Sequence, residues 1–271
     1  MVTANPIDEV FNQLRTAKRA AFMPFIVAGD PTLQATTALL TSLPARGASL
    51  IEVGFPYSDP IADGPTIQAA YTRALERGIR VRAIFESLRA IRSQLAAPLV
   101  AMVSYAIVYR HGLDRFIDQA LQAGFSGAIV PDLPADEAEP FFERCCAAGL
   151  KLIQLITPTT PEHRIEGILA RCSGFVYYVS VTGITGERSR LSERIGERIR
   201  QIKQHTALPV CVGFGVSSPQ QVRELAEVAD GVIVGSAIVR RIAERAELPL
   251  QELVQAVGDY VEQLSRATMR D

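Results

Sequence analysis

The sequence predicts an α/β protein folded as a single-domain (β/α)8 TIM barrel with an extra N-terminal helix, on three observations. Eight short apolar runs alternate with longer amphipathic segments from one end of the chain to the other. The runs are apolar at nearly every position, as strands of a parallel sheet covered on both faces must be. Eight such units in about 250 residues is the count for a closed barrel, and this chain has 271 residues. An open doubly wound sheet is the other arrangement of such units. Its Gly-rich phosphate fingerprint would follow the first strand, where this chain reads AGDP.

The strands are expected at 21–29 (AFMPFIVAG), 49–55 (SLIEVGF), 98–105 (PLVAMVSY) and 127–130 (GAIV). The second half supplies 151–157 (KLIQLIT), 175–181 (FVYYVSV), 209–215 (PVCVGFG) and 231–236 (GVIVGS). A helical pattern follows each, for example at 33–45, 115–123, 137–148, 161–171 and 219–228. Residues 6–19 form the extra leading helix and 249–266 a closing one. No linker, low-complexity segment or break in composition divides residues 1–271, so one domain is expected.

Composition narrows the partners. The 28 basic and 29 acidic residues nearly cancel, which leaves no basic surface for nucleic acid or an anionic membrane. No apolar run approaches the roughly 18 residues of a membrane span, and the N-terminus lacks a signal pattern, so a soluble protein is expected. Cys145 and Cys146 are adjacent, and Cys172 and Cys211 lie in unrelated elements, so they make no disulfide framework and point to a reduced, cytoplasmic setting.

One strand carries an anomaly. Glu52 interrupts Leu50, Ile51 and Val53, where an unpaired charge would lose several kcal/mol by desolvation. Such a cost suggests a use, although a glutamate in this position also serves as half of a buried ion pair with an arginine. Asp63 follows in a loop stiffened by prolines, PYSDPIADGP, and can reach back over the same pocket. Taken alone, Asp63 before Gly64 and Asp59 before Pro60 are also ordinary turn-formers.

In a parallel barrel the functional face lies at the C-terminal ends of the strands. After the seventh and eighth strands, GFGVSS and VGSAI place Gly215, Gly235 and Ser236 where backbone N–H groups can face an anion, the usual phosphate position in barrels. Each glycine alone would equally allow a tight turn. The longer loop VTGITGERSR, 181–190, has the makings of a lid, with the N–H of Gly186 as a further phosphate donor.

Elimination then restricts the chemistry. His111, His163 and His205 lie in or beside helices, far in sequence from the acids, so no metal cluster is expected. The three lysines, Lys18, Lys151 and Lys203, are badly placed for a Schiff base, and no motif grips a nicotinamide or pyridoxal cofactor. What survives is general acid–base chemistry on a small phosphorylated substrate, with the Glu52 pKa raised by burial. Phe22, Ile156, Tyr177 and Phe214, at or near inward strand positions, would receive a flat apolar group, although such residues are core more often than ligand contacts.

With these residues assembled, the sequence resembles the tryptophan synthase alpha chain family. The resemblance runs through PFIVAGDP, IEVGFPYSDPIADGPTIQ, GAIVPDLP, FVYYVSVTGITG, GFGVSS and GSAIV. It implies a (β/α)8 lyase that cleaves indole-3-glycerol phosphate to indole and glyceraldehyde 3-phosphate without metal or cofactor. Carried over by motif, Glu52 is the acid–base and Asp63 stabilises the cationic ring through its N–H. Phe22 and Tyr177 contact the substrate, and Gly186, Gly215, Gly235 and Ser236 hold the phosphate.

The resemblance also implies a beta chain that holds pyridoxal phosphate and receives the indole in an alpha2-beta2 tetramer, with Asp59, Pro60 and Asp132 at or near that interface. Two departures stand out. Ala106 and Ile107 replace the Asn and Pro common after the third strand, and Val27 stands where a threonine is common. A free-standing lyase that releases indole shares every catalytic residue, and a non-catalytic activating subunit is argued against by intact Glu52 and Asp63.

Overall fold

Side chains along a strand point alternately to its two faces, and that alternation decides what enters the barrel. The computed structural model describes residues 5–61, 63–180, 188–213 and 215–269. The strands are β1 (Ala21–Val27), β2 (Ile51–Gly54), β3 (Leu99–Met102), β4 (Phe125–Ile129), β5 (Lys151–Ile156), β6 (Val176–Val179), β7 (Val210–Gly213) and β8 (Gly231–Val234). They close in sequence order into a parallel barrel, β8 pairing back onto β1.

Around the barrel, among the described residues, run α1 (Pro6–Thr16), α2 (Leu33–Ser42), α3 (Pro65–Glu76), α4 (Val81–Ala90), α5 (Tyr105–His111) and α6 (Leu113–Gln122). The second half adds α7 (Glu139–Ala148), α8 (Glu162–Leu169), α9 (Arg188–His205), α10 (Pro219–Val228), α11 (Ser236–Ala243) and α12 (Leu250–Arg266). This is the (β/α)8 architecture that the eight apolar runs predict.

Two cores result. Outward residues such as Ile51, Val53 and Phe55 pack under the helices. There Phe55 meets the rings of Phe85, Phe116 and Phe125 at centroid separations of 5.4, 6.2 and 5.7 Å. Inward residues such as Met23, Leu50 and Ile153 fill the lower barrel. The extra N-terminal helix closes that end, because Ile7 and Phe11 of α1 enter the inner cluster and Phe11 lies 5.8 Å from Phe175. Asn5 anchors α1 by accepting from Ile7 N and donating through Nδ2 to the carbonyls of Ser126 and Gly149, all at 2.9 Å.

The strand expected at 98–105 is shorter. It ends at Met102, and Tyr105, expected in the strand, instead begins α5. Ser104 starts that helix, its Oγ accepting from Ala106 N at 3.2 Å, a side-chain cap that favours helix over extended backbone. With the N-terminal mouth sealed by apolar side chains, the polar inward residues collect at the other end.

Candidate active site

Glu52 lies between outward Ile51 and Val53, so its carboxyl points into the barrel. In register beside it stand Phe25 of β1 and Val100 of β3. Only 3% of Glu52 is exposed, and its Oε1 has no hydrogen-bond partner. Burial, and then the charge of Asp63, push its pKa from the ordinary 4.5 up to about 8. Among the described residues, the ion pair with an arginine that the sequence left open is not formed.

Asp63 hangs over the same space from the loop after β2. Its backbone N–H donates to the Pro60 carbonyl at 3.0 Å, and its carbonyl accepts from Gln68 Nε2 at 2.7 Å. Gln68, in the second turn of α3, also bonds the Pro60 carbonyl at 3.2 Å, so α3 fixes the loop. Burial raises the Asp63 pKa to about 6. Inward Tyr177 of β6 is buried near both acids, and its hydroxyl stays protonated because burial and then the charges of Glu52 and Asp63 raise its pKa.

These groups line a cavity of about 310 Å³ together with Gly215, Gly235 and Ser236. Gly215 adopts φ 73°, a left-handed conformation natural to glycine. Beyond it, Ser218 caps α10 in a reciprocal capping box with Gln221. Ser236 opens α11, whose N-terminus presents a partial positive charge, with the N–H groups of Ile238 and Val239 already donated to the Gly235 carbonyl at 2.9 and 3.0 Å. One end of the cavity is therefore acidic and apolar, and the other is built from backbone suited to an anion. Among the described residues no group of three or more His, Cys, Asp or Glu side chains is arranged to hold a metal ion. Nor is any helix among them long and apolar enough to cross a membrane.

A family profile described as "Tryptophan synthase alpha chain" matches residues 11–269. The tryptophan synthase alpha chain of Rhodopirellula baltica is 45% identical over 272 residues, covering 97% of this chain and 98% of the relative. The chain belongs to the tryptophan synthase alpha chain family. Among solved structures, tryptophan synthase of Mycobacterium tuberculosis superposes with TM-score 0.87 at 35% identity, covering 99% of this chain and all of that one. The alpha chain of Legionella pneumophila gives 0.88 at 33% identity, covering 98% of each.

Two pocket residues expected from this alpha chain's sequence are corrected. Phe22 and Ile156 point outward and pack under the helices; the cavity is lined instead by Phe25 and Leu155. Both strands are buried on both faces, so the sequence carries no alternation from which to read parity. Phe25 had one signal, its register with Glu52, visible only once β1 and β2 are paired. Ile67 of α3 and Met102 of β3 also line the cavity and were not anticipated. Phe214, Gly186 and the segment 181–187 lie outside the described residues.

The residues expected at an interface sit on the C-terminal face. Asp59 is exposed and accepts from Ser58 Oγ at 2.5 Å, while Pro60 is half-buried. Asp132 accepts from Ser104 Oγ and Tyr105 N, both at 2.7 Å, and so ties the loop after β4 to the start of α5. Ala106 and Ile107, the departure from the family pattern, lie in that helix.

Proposed function

We propose that this alpha chain cleaves indole-3-glycerol phosphate to indole and D-glyceraldehyde 3-phosphate by a retro-aldol reaction, with Glu52 as acid–base and Asp63 as electrostatic partner. The observation that carries the reading is two carboxyl groups lining one cavity, Glu52 with an unpartnered Oε1 and Asp63 on a loop held by Gln68, where burial raises Glu52 to about 8 and Asp63 to about 6. Between those values the pair holds one proton, on Glu52, and one charge, on Asp63.

Glu52 gives its proton to the indole carbon that bears the glycerol chain. The positive charge spreads to the ring N–H, which Asp63 stabilises. The Glu52 carboxylate then takes the proton of the hydroxyl on the adjoining chain carbon. That carbon becomes an aldehyde as the carbon–carbon bond breaks, and the bond's electrons restore the indole. Glu52 ends as it began, and the indole ring is itself the electron sink, so the cleavage requires no cofactor in this chain. Phe25, Leu155 and Tyr177 bound the space for the ring, and Gly215, Gly235 and Ser236 receive the phosphate.

The same reading seats a pyridoxal-phosphate-bearing beta chain on the C-terminal face in an alpha2-beta2 tetramer, to which indole is passed. Ile61, 91% exposed, and Tyr109, 69% exposed, offer apolar surface there beside Asp59, Pro60 and Asp132. Four free cysteines, three of them buried, suit a reducing cytoplasm.

The test is glyceraldehyde 3-phosphate formation from indole-3-glycerol phosphate by the purified chain, with and without a beta chain from the same source. A low rate that rises strongly with the partner is expected. A high rate indifferent to the partner identifies a free-standing lyase, and no rate in either case removes the catalytic assignment.

A further inference from the structure

Among the described residues, six buried side-chain polar atoms have no hydrogen-bond partner, and four of them are arginine Nε atoms. The remaining two are Glu52 Oε1 and the hydroxyl of Tyr71. The charge of Glu52 acts on the Tyr71 hydroxyl, so the two share one buried region. Gly54 is the next inward residue after Glu52 on β2, and a Cβ built on it would lie 2.8 Å from the Tyr71 hydroxyl and 2.6 Å from Phe25 Cζ. Two residues along a strand span about 6.6 Å, within the combined reach of a glutamate side chain and a hydroxyl already resting on the strand.

Tyr71 comes from α3 and packs with Phe25 and Val27 in a small cluster that also touches Ile67 and Met102, so it stands behind the cavity wall. A phenylalanine would fill the same space without an unsatisfied oxygen, so the hydroxyl costs stability that the packing does not recover. The groups facing it are Asp63, Tyr57 and Glu52. Those facing Glu52 are Asp63, Tyr177 and Tyr71. Burial and these acids keep the Tyr71 hydroxyl protonated, hence a donor.

We infer that Tyr71 is a positioning residue for the cleavage: its hydroxyl donates to the Glu52 carboxylate once that group has released its proton. The bond holds the anion one step up β2, ready to take the hydroxyl proton of the substrate's side chain. Neither atom has a partner in the fold, and ionisation of Glu52 makes its carboxylate the stronger, charge-assisted acceptor. The inference rests on Glu52 being the acid–base.

The experiment is the pH profile of kcat/KM for glyceraldehyde 3-phosphate formation by the alpha chain with its beta chain. A donor that stabilises the Glu52 anion lowers its pKa, so Tyr71→Phe should carry the alkaline limb to higher pH by about 1, with kcat reduced several-fold and KM little changed. Replacing the Tyr71 ring by 3-fluorotyrosine, a stronger donor in the same place, should carry that limb to lower pH. A merely structural ring would leave the limb unmoved in both proteins, and that result overturns the inference. Failure of the underlying reading looks different, because Glu52→Gln would then retain activity. The hydroxyl makes no bond among the described residues, so Tyr71→Phe should unfold at the wild-type temperature or above. Should it not fold, the fluorotyrosine protein decides alone.

Discussion

Asp30 and Glu52 are equally buried, each 3% exposed, on neighbouring strands or the loops that follow them, yet they are provided for in opposite ways. Asp30 receives a two-pronged grip from Arg73, Nε at 3.0 Å and Nη2 at 2.6 Å. That hydrogen bond in turn raises the pKa of the guanidinium. Among the described residues Glu52 has no cation paired with it, and its Oε1 has no partner. One helix, α3, serves both places: Arg73 completes Asp30, and Tyr71, two residues earlier, brings only a neutral hydroxyl toward Glu52. A fixed charge that braces loops is paired, and the carboxyl proposed to pass a proton back and forth is left without a cation, which would hold it ionised.

The largest effect that would break this contrast is catalytic. Glu52→Gln keeps the shape and removes the titrating proton, and the rate of glyceraldehyde 3-phosphate formation should fall by about 10³–10⁴-fold. Substantial turnover in this variant would make Glu52 a structural oddity and reopen the site assignment.

Next comes stability against pH, where the unpaired acid should show its cost. The folded pKa of Glu52, about 8, lies above its ordinary value of 4.5. Below the lower value both states hold the proton and stability is intact. As pH rises toward the folded pKa the unfolded chain releases its proton first, and stability is lost by about 1.4 kcal/mol per pH unit. Glu52→Gln should therefore match wild type near pH 4 and exceed it by about 3 kcal/mol at pH 7 in urea unfolding. A difference that does not change with pH would contradict the burial argument.

Smaller, and opposite in sign, is the paired site. Arg73→Met leaves Asp30 buried without its cation. Breaking a fully buried pair costs about 3–5 kcal/mol, and because Arg73 keeps 33% side-chain exposure the expected loss is about 2–3 kcal/mol. Urea unfolding above pH 5 measures it. A neutral result would mean that Asp30 is paired for geometry alone.

Much of the site is legible in the chain because its signals are violations of local rules. An acid inside an apolar strand costs free energy wherever the strand packs, so Glu52 is conspicuous before any fold is known. Glycines at the ends of the last two strands, and an acid held by a proline-rich loop, are local facts of the same kind. Parity is not local. Phe22 and Phe25 are both aromatic, buried and on one strand, and which of them meets the cavity follows from how β1 lies against β2. Leu155 and Ile156 pose the same problem on β5. The cap that turns the end of an expected strand into α5 depends on Ser104, which a β-rich reading of its neighbours hides.

The chain by itself therefore determined the architecture, the buried acid inside β2 and the glycine-bearing loops after β7 and β8, because apolar periodicity, desolvation cost and turn chemistry act over a few residues. Only the tertiary structure decided which aromatic faces the cavity, that Arg73 goes to Asp30 across 43 residues of chain, and that the Tyr71 hydroxyl is sealed against Gly54. Those outcomes depend on distances between segments that meet only when the barrel closes.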